Sequence, residues 1–174
     1  AMAGSGAING QALHPVDLLR FLMDSEVEEV RSMTEELTPD HPVDHMIHSL
    51  LRFENGASGV VNAGILVPYS DNDVTLYGSR GKICCRGTLG RSAKDVRPEL
   101  IVQGDAVNGP ADFSPDSTPQ TRLANLIEDF NRSIRENTEP ALSGRNGLQM
   151  VRIANALLES SIQEKAVRLA RASG

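Results

Sequence analysis

The stretch HMIHSLLRF, then Glu54-Asn55-Gly56, then ASGVVNAGILV constrains the fold more than any other part of this chain. An Asn-Gly pair supplies the positive backbone angles that a tight reversal requires, so two apolar-rich runs flanking it predict a β-hairpin. DVTLYGS, the turn Ser79-Arg80-Gly81 and KICCRG predict a second hairpin by the same logic. Val27 to Leu37 mixes Val, Thr and charge without helical period and reads as a further strand. ELIVQ is a short strand, and Val167-Arg168-Leu169 a last one.

Helical periodicity appears in three places. Leu13, Val16, Leu19 and Leu22, widened by Leu18, Phe21 and Met23, recur at three- and four-residue steps over about Gln11 to Met23. Proline is comfortable in a first turn and kinks a helix already under way, so the regular part is expected to begin near His14 or Pro15. Leu123, Leu126, Ile127, Phe130 and Ile134 mark a second helix ending near Asn137, and Leu148 to Ile162 a third. Residues 86 to 98 and Gly104 to Pro119 are polar or rich in Pro, Asp, Ser and Gly, and read as connections. The order predicts an α+β fold: an open, mostly antiparallel mixed sheet of about six strands with helices on one face. Val61, Ala63, Ile65 and Val67 alternate with Val60 and Leu66, so the uncovered face is also apolar and is expected to meet a second copy or another domain.

A length of 174 residues suits one domain. Ala1 precedes Met2, so residues 1–6 are expected to be a linker or cloning remnant and 7–174 the domain itself. Seventeen basic against 23 acidic residues give a net charge of -6, which lacks the basic footprint of a nucleic-acid binder. No apolar run approaches the roughly 20 residues of a membrane span, and no signal-peptide pattern opens the chain, so a cytoplasmic protein is expected. An aromatic content of 3% disfavours base or sugar stacking.

Several residues invite chemical readings. Gly4, Gly6 and Gly10 nearly spell a dinucleotide fingerprint, but three residues separate the last two and no strand precedes them, so a linker or an entry to the helix is the better reading. His41, His45, His48 and Asp44 suggest a metal cluster, yet His45 and His48 face opposite ways on a strand and His41 precedes Pro42, so convergence is not expected. Cys84 and Cys85 are adjacent and lack the spacer of a redox pair. Arg52 and Arg80 are candidates for an acidic substrate group, although strand and turn arginines usually face solvent.

The ordered set HPVDLLRFLMDSEVEEV, LLRFENGASGVV, LYGSRGKI and SGRNGLQMVRIANALLESSIQEKAVRL resembles the C-terminal domain of the glucose-fructose oxidoreductase / inositol dehydrogenase (Gfo/Idh/MocA) family, from about Gly4 to Leu169. The resemblance implies a substrate-binding and oligomerisation domain of an oxidoreductase acting on a sugar, cyclic polyol or dihydrodiol-like compound, inactive in isolation. It implies NAD or NADP bound by an N-terminal Rossmann domain and not by this chain alone. Its partners would be that domain, a small-molecule substrate, and further copies in a dimer or tetramer through the open sheet, with neither nucleic acid nor membrane. In the family an aspartate and, four residues later, a histidine face the substrate. The histidine falls on His14, the implied catalytic residue, but the aspartate position falls on Gly10, which has no side chain to offer. Asp17, three residues after His14, is a further substrate-facing candidate that would partner the imidazole or merely solvate the helix. The loss at Gly10 leaves a second reading open, a noncatalytic interaction or ligand-sensing module.

Overall fold

The computed structural model describes residues 6–36, 40, 43–67, 72–87, 99–105, 108–110 and 119–170. In chain order these form a π-helical turn Ile8–Ala12, α1 (Leu13–Met23), β1 (Val27–Glu35), β2 (Met46–Phe53), β3 (Ser58–Gly64), β4 (Val74–Gly78), β5 (Gly81–Arg86), β6 (Glu99–Gly104), β7 (Asn108–Pro110), α2 (Pro119–Glu136), α3 (Gly144–Gln163) and β8 (Val167–Arg168). They group into two compact units, Ala1–Val67 with Leu142–Gly174, and Pro68–Ala141.

In the first unit the hairpin organises the sheet. Gly56 takes a φ of 88°, its N–H donates to the Phe53 carbonyl at 2.9 Å, and the Phe53 N–H donates to the Ala57 carbonyl at 2.9 Å. That turn fixes β2 against β3 with Leu50 opposite Val60, and β1 lies antiparallel on the other side of β2 with Arg31 opposite Leu50. The sheet order is β3-β2-β1-β8. Because side chains alternate, Ile47, Ser49, Leu51 and Phe53 of β2 are buried while His48, Leu50 and Arg52 are exposed. The buried face meets the helices, whose apolar contributions include Val16 and Leu19 of α1 and Ile153, Ala154 and Leu157 of α3.

A pair of serines ties α3 to the strand beneath it. β8 pairs only with Glu29 and Val30, which leaves the next stretch of the β1 edge open. There Ser160 Oγ accepts the Ser32 N–H at 3.0 Å and donates to the Lys165 carbonyl at 2.6 Å, and Ser32 Oγ donates to the Leu157 carbonyl at 2.5 Å. A buried amide without a partner would be costly, so these bonds do for the edge what a longer strand would have done.

The second unit holds a ladder of order β4-β5-β6-β7, with β4 and β5 joined through Ser79-Arg80 as the sequence predicted. Its helix α2 carries Leu123, Leu126, Ile127, Phe130 and Ile134 as one exposed apolar stripe. The α+β class with open antiparallel sheets and helices thus holds, and the strands fall into two ladders of four. β7 lies inside a stretch read as a connection: Gly109 there has a φ of 134°, and such glycine-containing runs carry no strand signal in sequence.

Candidate functional site

The helix that carries His14 starts earlier than its proline suggests. Pro15 has no N–H to give the carbonyl four residues back, and its ring crowds that carbonyl. The chain meets this with a wider turn immediately upstream, in which the Leu13 N–H bonds to the Ile8 carbonyl, five residues back. Helical structure therefore begins at Ala7, and the α-helical part at Leu13. Single π-turns inside helices are uncommon and occur often at functional sites.

The glycine-rich lead-in has a structural task. The Ala7 N–H donates to the Asp44 carbonyl at 2.6 Å and the Ile8 N–H to the Asp44 carboxylate at 2.6 Å. A side chain at Gly6 would collide with that carboxylate, so glycine is what lets Asp44 reach the helix end. The Ala7 and Ile8 amides that a pyrophosphate would need are thus already taken by the Asp44 carbonyl and carboxylate, and this segment does not fit a dinucleotide. Gly4 lies outside the described residues.

Downstream of this anchor, His14 is exposed and its imidazole makes no hydrogen bond to any described residue. Gly10 precedes it by four residues, donates its N–H to the Gly6 carbonyl at 2.8 Å, and would place a Cβ with nothing within 4 Å. Nothing in the backbone demands glycine there, so an aspartate would fit; its absence is a matter of chemistry, not of space. Asp17 accepts from Arg20 Nη1 at 2.8 Å, which engages its carboxylate away from the imidazole. Arg20 also forks onto Glu26, Nε to Oε2 at 2.9 Å and Nη2 to Oε1 at 2.5 Å, and reaches Met150 Sδ at 3.3 Å. Burial alone would lower the Arg20 pKa, but Glu26 first and Asp17 second outweigh it and hold the guanidinium above its ordinary range. This cluster fixes the last turn of α1 to β1 and α3. The turn of the hairpin does the same from another side, with Asn55 Nδ2 donating to the Met23 carbonyl at 3.0 Å.

The other candidates do not converge. His45 is buried, His48 is exposed with Nδ1 3.0 Å from Asn62 Oδ1, and His41 lies outside the described residues. Among the described residues no group of three or more His, Cys, Asp or Glu could hold a metal. Cys84 and Cys85 are free thiols, and burial first and Cys84 second push the Cys85 thiol above its usual value. Arg52 and Arg80 are exposed on the outer face of β2 and in the β4–β5 turn. Among the described residues no helix is long and apolar enough to cross a membrane. The sequence reading weighed Asp44 only as a metal ligand, and its capping role and the Arg20 fork escaped it, since 36 residues separate Asp44 from the amide it caps and the Arg20 fork reaches across a helix end.

Residues 1–84 match the model of the GFO/IDH/MocA C-terminal domain. The chain is 27% identical over 179 residues to myo-inositol 2-dehydrogenase from Thermotoga maritima, covering 97% of this chain and 51% of that protein. Inositol 2-dehydrogenase from Rhizobium meliloti is 24% identical, with 95% of this chain and 50% of that protein covered. Among solved structures, levoglucosan dehydrogenase in complex with NADH and levoglucosan superposes with a TM-score of 0.78 at 22% identity, over 98% of this chain and 52% of that one. An oxidoreductase from Desulfitobacterium hafniense gives 0.79 at 19%, over 95% and 49%. The chain therefore spans about half the length of the relatives it matches.

Proposed function

We propose that this chain is the substrate-binding half of an NAD(P)-dependent oxidoreductase acting on a sugar, cyclic polyol or dihydrodiol-like alcohol, and that His14 takes the hydroxyl proton. The observation that carries the reading is His14 itself, exposed, unpartnered among the described residues and held on an anchored helix. Oxidising a carbinol needs a base within reach of its hydroxyl, and a neutral imidazole performs that task near pH 7. A nicotinamide cofactor bound by the other half of the protein would supply the hydride acceptor. Gly10 cannot orient the imidazole, so the substrate or a residue of the other half must. Asp17, tied to Arg20, lies on the same helix as a hydrogen-bond acceptor for a second hydroxyl. The chain alone is expected to be inactive, with the dinucleotide held by the other half of the protein, and the exposed sheet face is its assembly surface, making a dimer or tetramer.

Gly10 favours a second reading, a module that binds such ligands without turning them over. Incubating the intact protein with NAD or NADP and a panel of polyols, sugars and dihydrodiols separates the two. Formation of reduced cofactor supports the first; ligand binding with no turnover on any member of the panel supports the second.

A further inference from the structure

We infer that Asp44 is the positioning residue that holds the π-turn and, through it, sets where His14 projects. The inference rests on the reading of His14 given above, but its geometry stands separately. Asp44 makes two contacts to consecutive amides at the very start of the helix, its carbonyl to Ala7 and its carboxylate to Ile8. Ile8 is also the residue whose carbonyl accepts the Leu13 N–H, so one residue is gripped by Asp44 at its amide and closes the five-residue turn at its carbonyl. His14 follows Leu13 directly. A helix whose turn spans five residues rotates less per residue than one whose turn spans four, so loss of the π-turn would carry His14 around the axis relative to everything upstream.

Asp44 is itself held on a rigid base. The next residue, His45, donates its N–H to the Glu35 carbonyl at the end of β1 at 2.8 Å and accepts the Ile65 N–H just past β3 at 3.0 Å. Ala7, Ile8 and Ala12 are buried, so the turn is packed as well as hydrogen-bonded. A charged acceptor on a helix N-terminus makes stronger bonds than a neutral one and complements the dipole there. Sheet, aspartate, π-turn and histidine thus form one chain of contacts, and Gly6 is the opening through which the carboxylate reaches its amide.

The test is nuclear magnetic resonance on the 174-residue chain and its variants. In Asp44→Ala, the Ile8 amide is expected to exchange at least about 10-fold faster, the through-space contact between Ile8 and Leu13 that marks the π-turn to vanish, and the His14 ring resonances to move. Amides of the β2–β3 hairpin should stay protected. Asp44→Asn keeps an acceptor and should restore all three signals. Gly6→Ala, which displaces the carboxylate without removing it, should reproduce the alanine effect and decides the matter if Asp44→Ala does not fold. An intact π-turn with unmoved His14 resonances in either Asp44→Ala or Gly6→Ala overturns the inference. In the intact oxidoreductase, Asp44→Ala should lower kcat about 10-fold or more with little change in KM, and Asp44→Asn should recover it. Displaced His14 resonances with unchanged kcat would leave the Asp44 grip standing and count against His14 as the base.

Discussion

His14 and Gly10 stand one helical turn apart, and they differ in what the fold asks of them. His14 offers a ring unpartnered among the described residues to solvent, while Gly10 offers open space within the π-turn and no positive φ that would demand glycine. A helical glycine with no steric or dihedral reason to be one costs roughly 0.5–1 kcal/mol relative to better helix formers. Gly10→Asp should therefore leave the melting temperature unchanged or slightly raised, and in the intact protein it should raise turnover if the missing carboxylate limits the present chemistry. A melting temperature lowered by several degrees would show that the space beside Gly10 is not open. Gly6 is the opposite case: there the missing side chain is needed, because the Asp44 carboxylate fills its place.

At the scale of elements, the clamp between α3 and β1 makes a sharp comparison. Ser160→Ala removes the acceptor of the buried Ser32 amide and should destabilise the chain by about 1–3 kcal/mol in chemical denaturation. Ser49, opposite Ser32 on β2, is also buried, but its Oγ makes no hydrogen bond among the described residues, so Ser49→Ala should be neutral or stabilising. Equal losses from the two substitutions would contradict this assignment of the bonds. The elements themselves were largely legible: Asn55-Gly56 specified its hairpin because a two-state choice of backbone angles resides in two residues, and α1 showed its apolar stripe. The helix start was not, because Pro15 signals a beginning by its missing N–H and the chain answers with a π-turn that leaves no periodicity to read. The same limit hid the capping role of Asp44. A carboxylate that caps an amide 36 residues away obeys no spacing rule, and only the pairing of β1 with β2 brings it there. For the site, apolar periodicity placed His14 on its helix and only the family resemblance singled it out, whereas the engagement of Asp17 by Arg20 became visible only in the folded chain.

At the scale of the molecule, the first unit is a one-sided layer. Met33, Leu50 and Val60, exposed by 66%, 57% and 64%, sit on the sheet face opposite the helices, with Leu50 and Val60 directly paired across strands. Exposed apolar residues grouped on a flat sheet favour burial against a like surface. Leu50→Lys should shift the assembly toward monomer in light scattering while leaving the fold intact by circular dichroism; a wild-type protein that is monomeric at high concentration would contradict the assembly role. Asp44 and the clamped α3 keep the opposite face, with its histidine, fixed on the same sheet. The central claim is that this face brings a proton acceptor to a carbinol. It is tested most directly by single-turnover formation of reduced cofactor by the intact protein with NAD or NADP, on whichever alcohol supports turnover, with His14→Ala compared against the unaltered protein. The predicted result is a chemical step slowed about 100-fold or more, with substrate binding retained; an unchanged rate would contradict the account.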